Sequence, residues 1–261
     1  MTTLHVERRG AGAPLLLISG HGGTTASWPE PFLTALAREF DCIAYDHRSI
    51  GASPSLPGPF TLADLADDAA ELLDELGLAD AHVFGPSMGG MVAQQLALRH
   101  PRRIRTLALG CTYCGGPGAA LVSQQEWQPV ADAIAAGDTE ARLRATWELG
   151  FSPAHRADPA RFDAYRAAAA AHRPSTRDVE TFLAQDRAID AFDVQAQLPR
   201  IAAPTLVIHG DADRMIPLAN GRLIASRIPG ARLTVLADVG HDFCSEQPAA
   251  SAALLRGHAR G

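Results

Sequence analysis

The stretch HVFGPSMGG, residues 82–90, decides the fold, because an apolar run passes into a helical pattern through a serine between two glycines. Gly85 and Gly89 flank Ser87 in the pattern G-x-S-x-G. A strand that turns directly into a helix strains the serine backbone and exposes its hydroxyl at the edge of a sheet. The glycines let neighbouring backbone approach where a Cβ would not fit. Ser87 is therefore a candidate nucleophile.

Pro86, immediately before this serine, shapes the same turn. Its ring fixes its own φ and biases Gly85 toward the extended conformation that suits the end of a strand. It brings neither a polar side chain nor a backbone donor to the neighbourhood of Ser87. We expect Pro86 to stiffen the turn and to make the floor of a substrate pocket more apolar.

The composition is that of a soluble globular protein. The chain has 261 residues, 47% hydrophobic and 20% charged, with a net charge of -6. This length suits one large domain or one domain with a sizeable insertion. The absence of a basic cluster argues against a nucleic-acid surface. The first ten residues lack signal-peptide features, and the run PLLLIS is too short to cross a bilayer. We therefore expect a cytoplasmic protein without membrane partners, with monomer and homodimer both open.

All 23 basic side chains counted are arginine, and lysine is absent. This excludes a Schiff-base lysine and a P-loop lysine, and with them pyridoxal-phosphate chemistry and Walker-type nucleotide hydrolysis. Cys111 and Cys114 form C-x-x-C, but no second pair of zinc ligands stands at a suitable spacing. We expect the cysteines to be reduced thiols without a role. The sequence thus predicts neither a metal site nor a cofactor.

Short apolar runs alternate with helical patterns along the chain. Each run is almost continuously apolar, which is typical of strands buried on both faces of a parallel sheet. The predicted strands are residues 14–19, 41–46, 81–85, 104–110, 204–210 and 231–237. An early strand, LHVERR, is expected to add an antiparallel edge. This alternation predicts an α/β fold with a mostly parallel, doubly wound sheet flanked by helices.

One interval, residues 115–199, interrupts the alternation with Ala-rich helical stretches and no strand-like run. We expect a helical cap inserted before the penultimate strand, over a core domain formed by residues 1–114 and 200–261. The aromatic side chains of this insertion either form its own small core or line a pocket, and core burial is their usual fate. The pocket candidates are Trp127, Trp147 and Phe151.

A serine nucleophile needs a base, and the base needs a group that orients it. His241 follows the last predicted strand, and Asp211 and Asp213 follow the strand before it. Because catalytic groups of such folds lie at the carboxyl ends of strands, these residues can meet Ser87. Their order along the chain, Ser–Asp–His, is the one expected for a strand–serine–helix turn of this kind.

With these loops in view, the chain resembles the α/β-hydrolases over nearly its whole length. Gly210-x-x-Asp213-x-x-x-Pro217 is similar to the family's acid loop, so Asp213 is favoured over Asp211. Gly240-His241 with Glu246 and Pro248 is similar to its histidine loop. His21-Gly22-Gly23 resembles its oxyanion loop. Asp46 to Ser53 resembles a D-x-R-G-x-G-x-S turn, with Ser49 in place of a glycine.

The resemblance implies acyl transfer by Ser87, His241 and Asp213, with the oxyanion held by the backbone N–H groups of Gly23 and Met88. It implies no cofactor or metal. Several stretches look like those of 3-oxoadipate enol-lactonases and aclacinomycin methylesterases, which points to a small, partly apolar ester or lactone. Two alternatives stay open: non-hydrolytic use of the triad, by cyclisation, transacylation or cofactor-free carbon–carbon cleavage, and a ligand receptor of the same fold.

Overall fold

A computed structural model describes residues 3–56, 58–171 and 176–261 of the protein. Residues 172–175, which fall within the predicted insertion, lie outside this range. The described chain contains a seven-stranded sheet in the spatial order β1-β3-β2-β4-β5-β6-β7. Its strands are β1 Val6–Gly10, β2 Ala13–Leu17, β3 Phe40–Tyr45, β4 Ala81–Pro86, β5 Ile104–Gly110, β6 Thr205–Gly210 and β7 Arg232–Leu236.

The pairing of the strands confirms the expected α/β architecture. β1 runs antiparallel to β3, and every other pair is parallel. The inner strands are buried along almost their whole length, as their continuous apolar sequences predict. β7 differs: it lies at the edge of the sheet, and Arg232 and Val235 of this strand are exposed.

Eleven helices accompany the sheet in the described residues. They are α1 Glu30–Leu36, α2 Leu62–Glu75, α3 Met88–Arg99, α4 Gln124–Ala136, α5 Thr139–Gly150, α6 Pro153–Arg156, α7 Pro159–Ala171, α8 Thr176–Asp190, α9 Leu218–Arg227, α10 Phe243–Glu246 and α11 Pro248–Ala259. The start of α2 is fixed by Thr61, whose hydroxyl accepts the Asp64 N–H while the Asp64 carboxylate accepts the Thr61 N–H.

Two apolar clusters fill the two faces of the sheet. Because side chains alternate along a strand, Leu16 and Ile18 point to one face and Leu15 and Leu17 to the other. The first face is covered by α2, α3 and α9, and the second by α1 and α11. This double coverage leaves the carboxyl ends of the strands as the place where loops can carry polar side chains.

The interval between β5 and β6 is helical, as its sequence predicts. In its described part it contains α4 to α8 and no strand. α8 reaches the loops after β2 and β3: the Gln185 side chain accepts the Gly22 N–H at 2.8 Å, and the Thr181 hydroxyl donates to the Ser49 carbonyl at 2.7 Å. The insertion therefore contacts loops at the carboxyl end of the sheet.

Candidate active site

Ser87 occupies the sharp turn between β4 and α3. Its φ of 55° and ψ of -128° lie outside the helical and extended regions, which is rare for a residue with a side chain. The flanking glycines make this turn possible. A Cβ on Gly85 would lie 2.2 Å from the Gly89 carbonyl oxygen, and one on Gly89 would lie 2.0 Å from the Ile18 carbonyl oxygen. The spacing read from the sequence thus has a direct steric cause.

Asp213 and His241 meet across two loops at the carboxyl end of the sheet. The Asp213 carboxylate accepts a hydrogen bond from His241 Nδ1 at 2.9 Å. Its other oxygen accepts the backbone N–H groups of Met215 and Ile216, at 3.0 and 2.8 Å. These bonds fix the carboxylate and therefore the imidazole. Within the described chain no hydrogen bond joins the Ser87 hydroxyl to His241, a bond that often tightens only when substrate is present.

The electrostatics of this pair favour an ionised acid and a basic imidazole. Burial by itself raises the pKa of Asp213, but His241 and His209 outweigh it and lower that pKa to about 2. Burial likewise lowers the pKa of His241, yet Asp213 and Cys111 raise it well above its ordinary value. An aspartate that stays charged beside a histidine can orient the ring and stabilise its protonated form.

Asp211 and His209, which could replace Asp213 and His241 as acid and base, lie in other positions. Asp211 is exposed, and its carboxylate accepts the Asp238 N–H at 2.7 Å. His209 is completely buried, with Nε2 2.7 Å from the Ile216 carbonyl oxygen and 3.4 Å from Asp213. His209, near the end of β6, therefore packs behind the acid.

Cys111 belongs to this site, although the sequence gives it no role. It follows β5 with a φ of 35° and is buried. Its thiol contacts the His241 side chain and the Ser87 backbone, and burial raises its pKa. The order of strands in the sheet explains this position. Because β5 lies between β4 and β6, the residue after β5 stands between the serine turn and the acid loop.

The loop after β2 differs from the prediction for Gly23. The Gly23 N–H already donates to the Gly20 carbonyl at 3.0 Å, so it is not a free oxyanion donor. Gly20 is the residue beside the serine: a Cβ on it would lie 3.5 Å from the Ser87 Cβ. The next backbone N–H, that of His21, makes no hydrogen bond among the described residues. Met88, as the first residue of α3, has an N–H without an intrahelical partner.

His21 joins this loop to the helical insertion. Its ring stacks on Phe182 with centroids 3.8 Å apart, and Nε2 lies 3.0 Å from the Phe182 carbonyl oxygen. On the opposite side of the site, the Gly150 carbonyl at the end of α5 accepts the His241 N–H at 2.7 Å. The helical insertion therefore contacts both the loop after β2 and the histidine loop.

A small cavity of about 90 Å³ lies beside these groups. Its walls include Gly20, Trp28, Pro86, His241 and Phe243. Pro86 thus forms part of the wall of this cavity.

None of the three aromatic pocket candidates of the insertion lines this cavity. Trp127 is 39% exposed on α4. Trp147 and Phe151 are buried, with ring centroids 4.1 Å apart. Tyr165 packs on both rings, at 5.2 and 5.6 Å. These side chains form the insertion's own aromatic core, because such rings gain most by packing against one another.

The turn around Asp46 explains why a glycine is usual at position 49. Ser49 adopts a φ of 65°, a left-handed conformation that glycine adopts without strain. Asp46 fixes the turn through the N–H groups of Thr25 and Ala52, at 2.7 and 2.8 Å. Ser49 gains its own hydrogen bonds with Leu56, which offset part of the strain.

Across the described residues, none of the helices combines the length and the apolar character needed to cross a bilayer. The four cysteines are free and buried.

Comparison with known proteins identifies the family. Residues 13–248 match the family described as alpha/beta hydrolase fold. A protein named as a candidate carbamate hydrolase, RutD, from Azorhizobium caulinodans is 32% identical over 94% of this chain and 90% of its own length. A hydrolase from Pseudomonas aeruginosa PA01 superposes with a TM-score of 0.80, at 35% identity, over 98% of this chain and 94% of that one.

An enol-lactonase from Burkholderia xenovorans LB400 gives a TM-score of 0.82, at 30% identity, over 100% of this chain and 97% of that one. The sheet order, the serine turn and these likenesses agree, and the chain belongs to the α/β-hydrolase family of enzymes.

Proposed function

We propose that the protein hydrolyses a small carboxylic ester or lactone through Ser87, His241 and Asp213. The observation that carries this proposal is the 2.9 Å bond between the buried Asp213 carboxylate and His241 Nδ1, beside the strained turn of Ser87. His241 takes the hydroxyl proton while Ser87 Oγ attacks the carbonyl carbon. The proton then passes to the leaving alcohol, an acyl-enzyme forms, and water releases the acid by the reverse steps.

The oxyanion in this mechanism is held by two backbone donors. We assign them to Met88, at the first position of α3, and to His21, next to Gly20. The Met88 N–H also lies at the positive end of the α3 dipole, which favours the charge that develops in the transition state. Each such donor is worth about 10²–10³ in rate. This pair replaces the Gly23 and Met88 pair expected from the sequence.

The cavity beside His241 supports a substrate with a short acyl group. At about 90 Å³, its volume accommodates only a few heavy atoms, and its walls include the apolar side chains of Trp28, Pro86 and Phe243. We therefore expect kcat/KM for p-nitrophenyl acetate and butyrate to exceed that for the octanoate. Pro86→His should shift this preference toward polar acyl groups, and an unchanged substrate range would contradict an apolar role for Pro86.

We infer that residues 115–199 act as a cap over this site. Two contacts support that role: the insertion contacts the loop after β2 through Phe182 and Gln185, and it contacts the histidine loop through Gly150. A cap of this kind excludes water while the acyl-enzyme forms.

Carbamate cleavage is a second candidate, favoured by the names of the RutD proteins that are 31–32% identical to this chain. The same nucleophile and oxyanion donors can attack a carbamate carbonyl. Turnover of a simple alkyl carbamate, measured beside the matched alkyl acetate, separates the two substrate classes. A higher kcat/KM for the acetate supports the ester assignment, and the reverse result supports the carbamate.

The decisive test replaces the nucleophile. Ser87→Ala should abolish hydrolysis of p-nitrophenyl acetate and the labelling of the protein by a fluorophosphonate probe. Ser123→Ala is the control, because the Ser123 hydroxyl bonds to Glu126 on the surface of α4. Full esterase activity in Ser87→Ala, or a label found on another residue by mass spectrometry, would rule out this mechanism.

A further inference from the structure

Three side chains with metal-binding atoms converge at the candidate active site. The Cys111 Sγ, a carboxylate oxygen of Asp213 and a ring nitrogen of His241 all lie within 4.8 Å of one another. They come from the loops after β5, β6 and β7, three neighbouring strands. No sequence spacing connects them, which is why the C-x-x-C pattern around Cys111 gives no indication of this group.

The donor set suits one class of cation. Thiolate, imidazole and carboxylate are the ligands that Zn²⁺ takes, at about 2.3, 2.0 and 2.1 Å, so ligand atoms around a tetrahedral zinc lie about 3.5 Å apart. No two of these atoms are more than 4.8 Å apart, so the widest pair needs to close by at most about 1.3 Å to reach that spacing. The pair formed by Asp213 and His241 Nδ1, at 2.9 Å, needs to open by about 0.6 Å. Mg²⁺ and Ca²⁺ prefer oxygen ligands and are poorly matched to a sulfur and a nitrogen.

We propose that Cys111, Asp213 and His241 bind one zinc-like divalent cation, and that the bound ion switches the enzyme off. On binding, the Cys111 S–H bond breaks, an S–metal bond forms and the proton leaves to solvent. The ion takes the acid and the base of the proposed triad as ligands. Coordination at His241 Nδ1, the nitrogen beside Asp213, moves the proton of that nitrogen to Nε2, so the neutral ring can no longer accept the Ser87 proton. The fourth coordination position is left for water.

The surroundings allow an ion to reach this position. Asp213 and Cys111 are buried, but the His241 side chain is 13% exposed and borders the cavity of about 90 Å³. Two backbone N–H groups and His209 hold the Asp213 carboxylate in place from behind. Such outer partners orient a metal ligand before the ion arrives.

Cadmium provides a readout that does not depend on catalysis, because a Cd²⁺–thiolate bond absorbs in the ultraviolet. Titration of the wild type with Cd²⁺ should give this band at one ion per chain, and Zn²⁺ should displace the cadmium. Cys111→Ser should lose the band and bind Zn²⁺ at least 10-fold more weakly in calorimetry. Asp213→Asn should weaken Zn²⁺ binding by a similar factor while the thiolate band persists at high Cd²⁺.

Two other buried thiols are the controls. Cys244→Ser removes a thiol that also borders the cavity, and Cys114→Ser removes one outside it. Both variants should keep the band and the Zn²⁺ affinity. A band that persists in Cys111→Ser, one that disappears in Cys244→Ser, or no zinc binding by the wild type would overturn the proposal.

The activity arm rests on the proposed function. Zn²⁺ should inhibit hydrolysis of p-nitrophenyl acetate by the wild type, and EDTA should restore it. Binding without inhibition would overturn the switch while leaving the metal site in place. If the wild type had no esterase activity at all, the proposed function would fail and the Cd²⁺ titration would still decide the site.

Discussion

The carboxylate of Glu246 joins Ser152 of the helical insertion to the loop that carries His241. One of its oxygens accepts the backbone N–H of Ser152 at 3.1 Å and that of Gly240 at 2.8 Å. The other oxygen accepts the Ser152 hydroxyl. A single side chain thus satisfies donors on both sides of the boundary between insertion and sheet.

This junction should position the proposed base. Glu246→Gln leaves one acceptor oxygen for three donors, so at least one buried donor loses its hydrogen bond. An unsatisfied buried donor lowers the free energy of unfolding by about 1–3 kcal/mol. We expect a lower free energy of unfolding by that amount in urea titration and a fall in kcat with little change in KM. Glu126→Gln, on the surface beside Arg214, is the control and should change neither. Equal effects in both variants would show that Glu246 is an ordinary surface charge.

Asp213 makes stability depend on pH at the acidic end. The pKa of Asp213 is lowered to about 2, against an ordinary value near 3.9. The interactions of its carboxylate therefore stabilise the folded state fully at pH values above about 3.9. This contribution is lost as the pH falls through about 2. We expect Asp213→Asn to reduce the free energy of unfolding at pH 7 by about 2 kcal/mol, and the difference from the wild type to vanish toward pH 2.

Asp211→Asn is the matched control, because Asp211 is exposed and only accepts the Asp238 N–H. Urea titrations of both variants at several pH values check this expectation. A larger loss of stability or activity in Asp211→Asn would reassign the acid of the proposed triad.

His241 should set the pH dependence of the rate. In the proposed mechanism only the neutral imidazole accepts the Ser87 proton. Burial lowers the pKa of His241, but Asp213 and Cys111 raise it above its ordinary value. The kcat/KM profile of the wild type should therefore rise with pH and reach half its plateau above about 6.5, the ordinary value. In Asp213→Asn the residual activity should titrate at lower pH. A midpoint that stays in place would show that Asp213 does not act on the base.

The glycines of the serine turn should tolerate no side chain. Gly85→Ala places a methyl group 2.2 Å from the Gly89 carbonyl oxygen, so the strand and helix must separate and the folded protein should be lost or severely destabilised. Gly257→Ala is the reverse case. That glycine lies exposed in α11 with open space around it, and alanine there should raise the free energy of unfolding by about 0.5–1 kcal/mol. Thermal unfolding of both variants measures the contrast.

Gln185 should hold the loop after β2, which carries the proposed oxyanion donor His21, in position. It is completely buried on α8, and its side-chain oxygen accepts the Gly22 N–H at 2.8 Å. Gln185→Ala leaves that N–H without a partner, which lowers the free energy of unfolding by about 1–3 kcal/mol. It also frees the backbone beside His21. We expect kcat to fall while KM changes little. Leu183→Ala, half-exposed on the same helix, should leave both constants within a factor of two.

The fold follows from the sequence because its determinants are local. Continuous apolar runs such as residues 104–110 predict buried parallel strands, and the structure has a strand over the same residues. The positions of Asp213 and His241 after two strands are enough to predict that they meet, and they do. These features depend on patterns within a few residues and on the rule that parallel strands end at one edge.

The remaining features depend on contacts between distant residues. The prediction of Gly23 as a free oxyanion donor was wrong, because its N–H donates a hydrogen bond to the Gly20 carbonyl. The spacing of the glycines alone does not reveal this bond. Trp147 and Phe151 face each other because several helices pack around them. Cys111 reaches His241 only through the order of strands in the sheet. In each case the sequence provides the residue and the tertiary packing decides its neighbours.

The contacts of the insertion limit how this enzyme can be re-engineered. Exchanging residues 115–199 for the equivalent region of a relative would test what the proposed cap contributes to substrate choice. The Gly150 carbonyl and the Gln185 side chain, however, belong to the exchanged piece while they hold the histidine loop and the loop after β2. A chimera that omits these two anchors would leave the proposed catalytic residues out of alignment. Successful grafts will need to keep both of them.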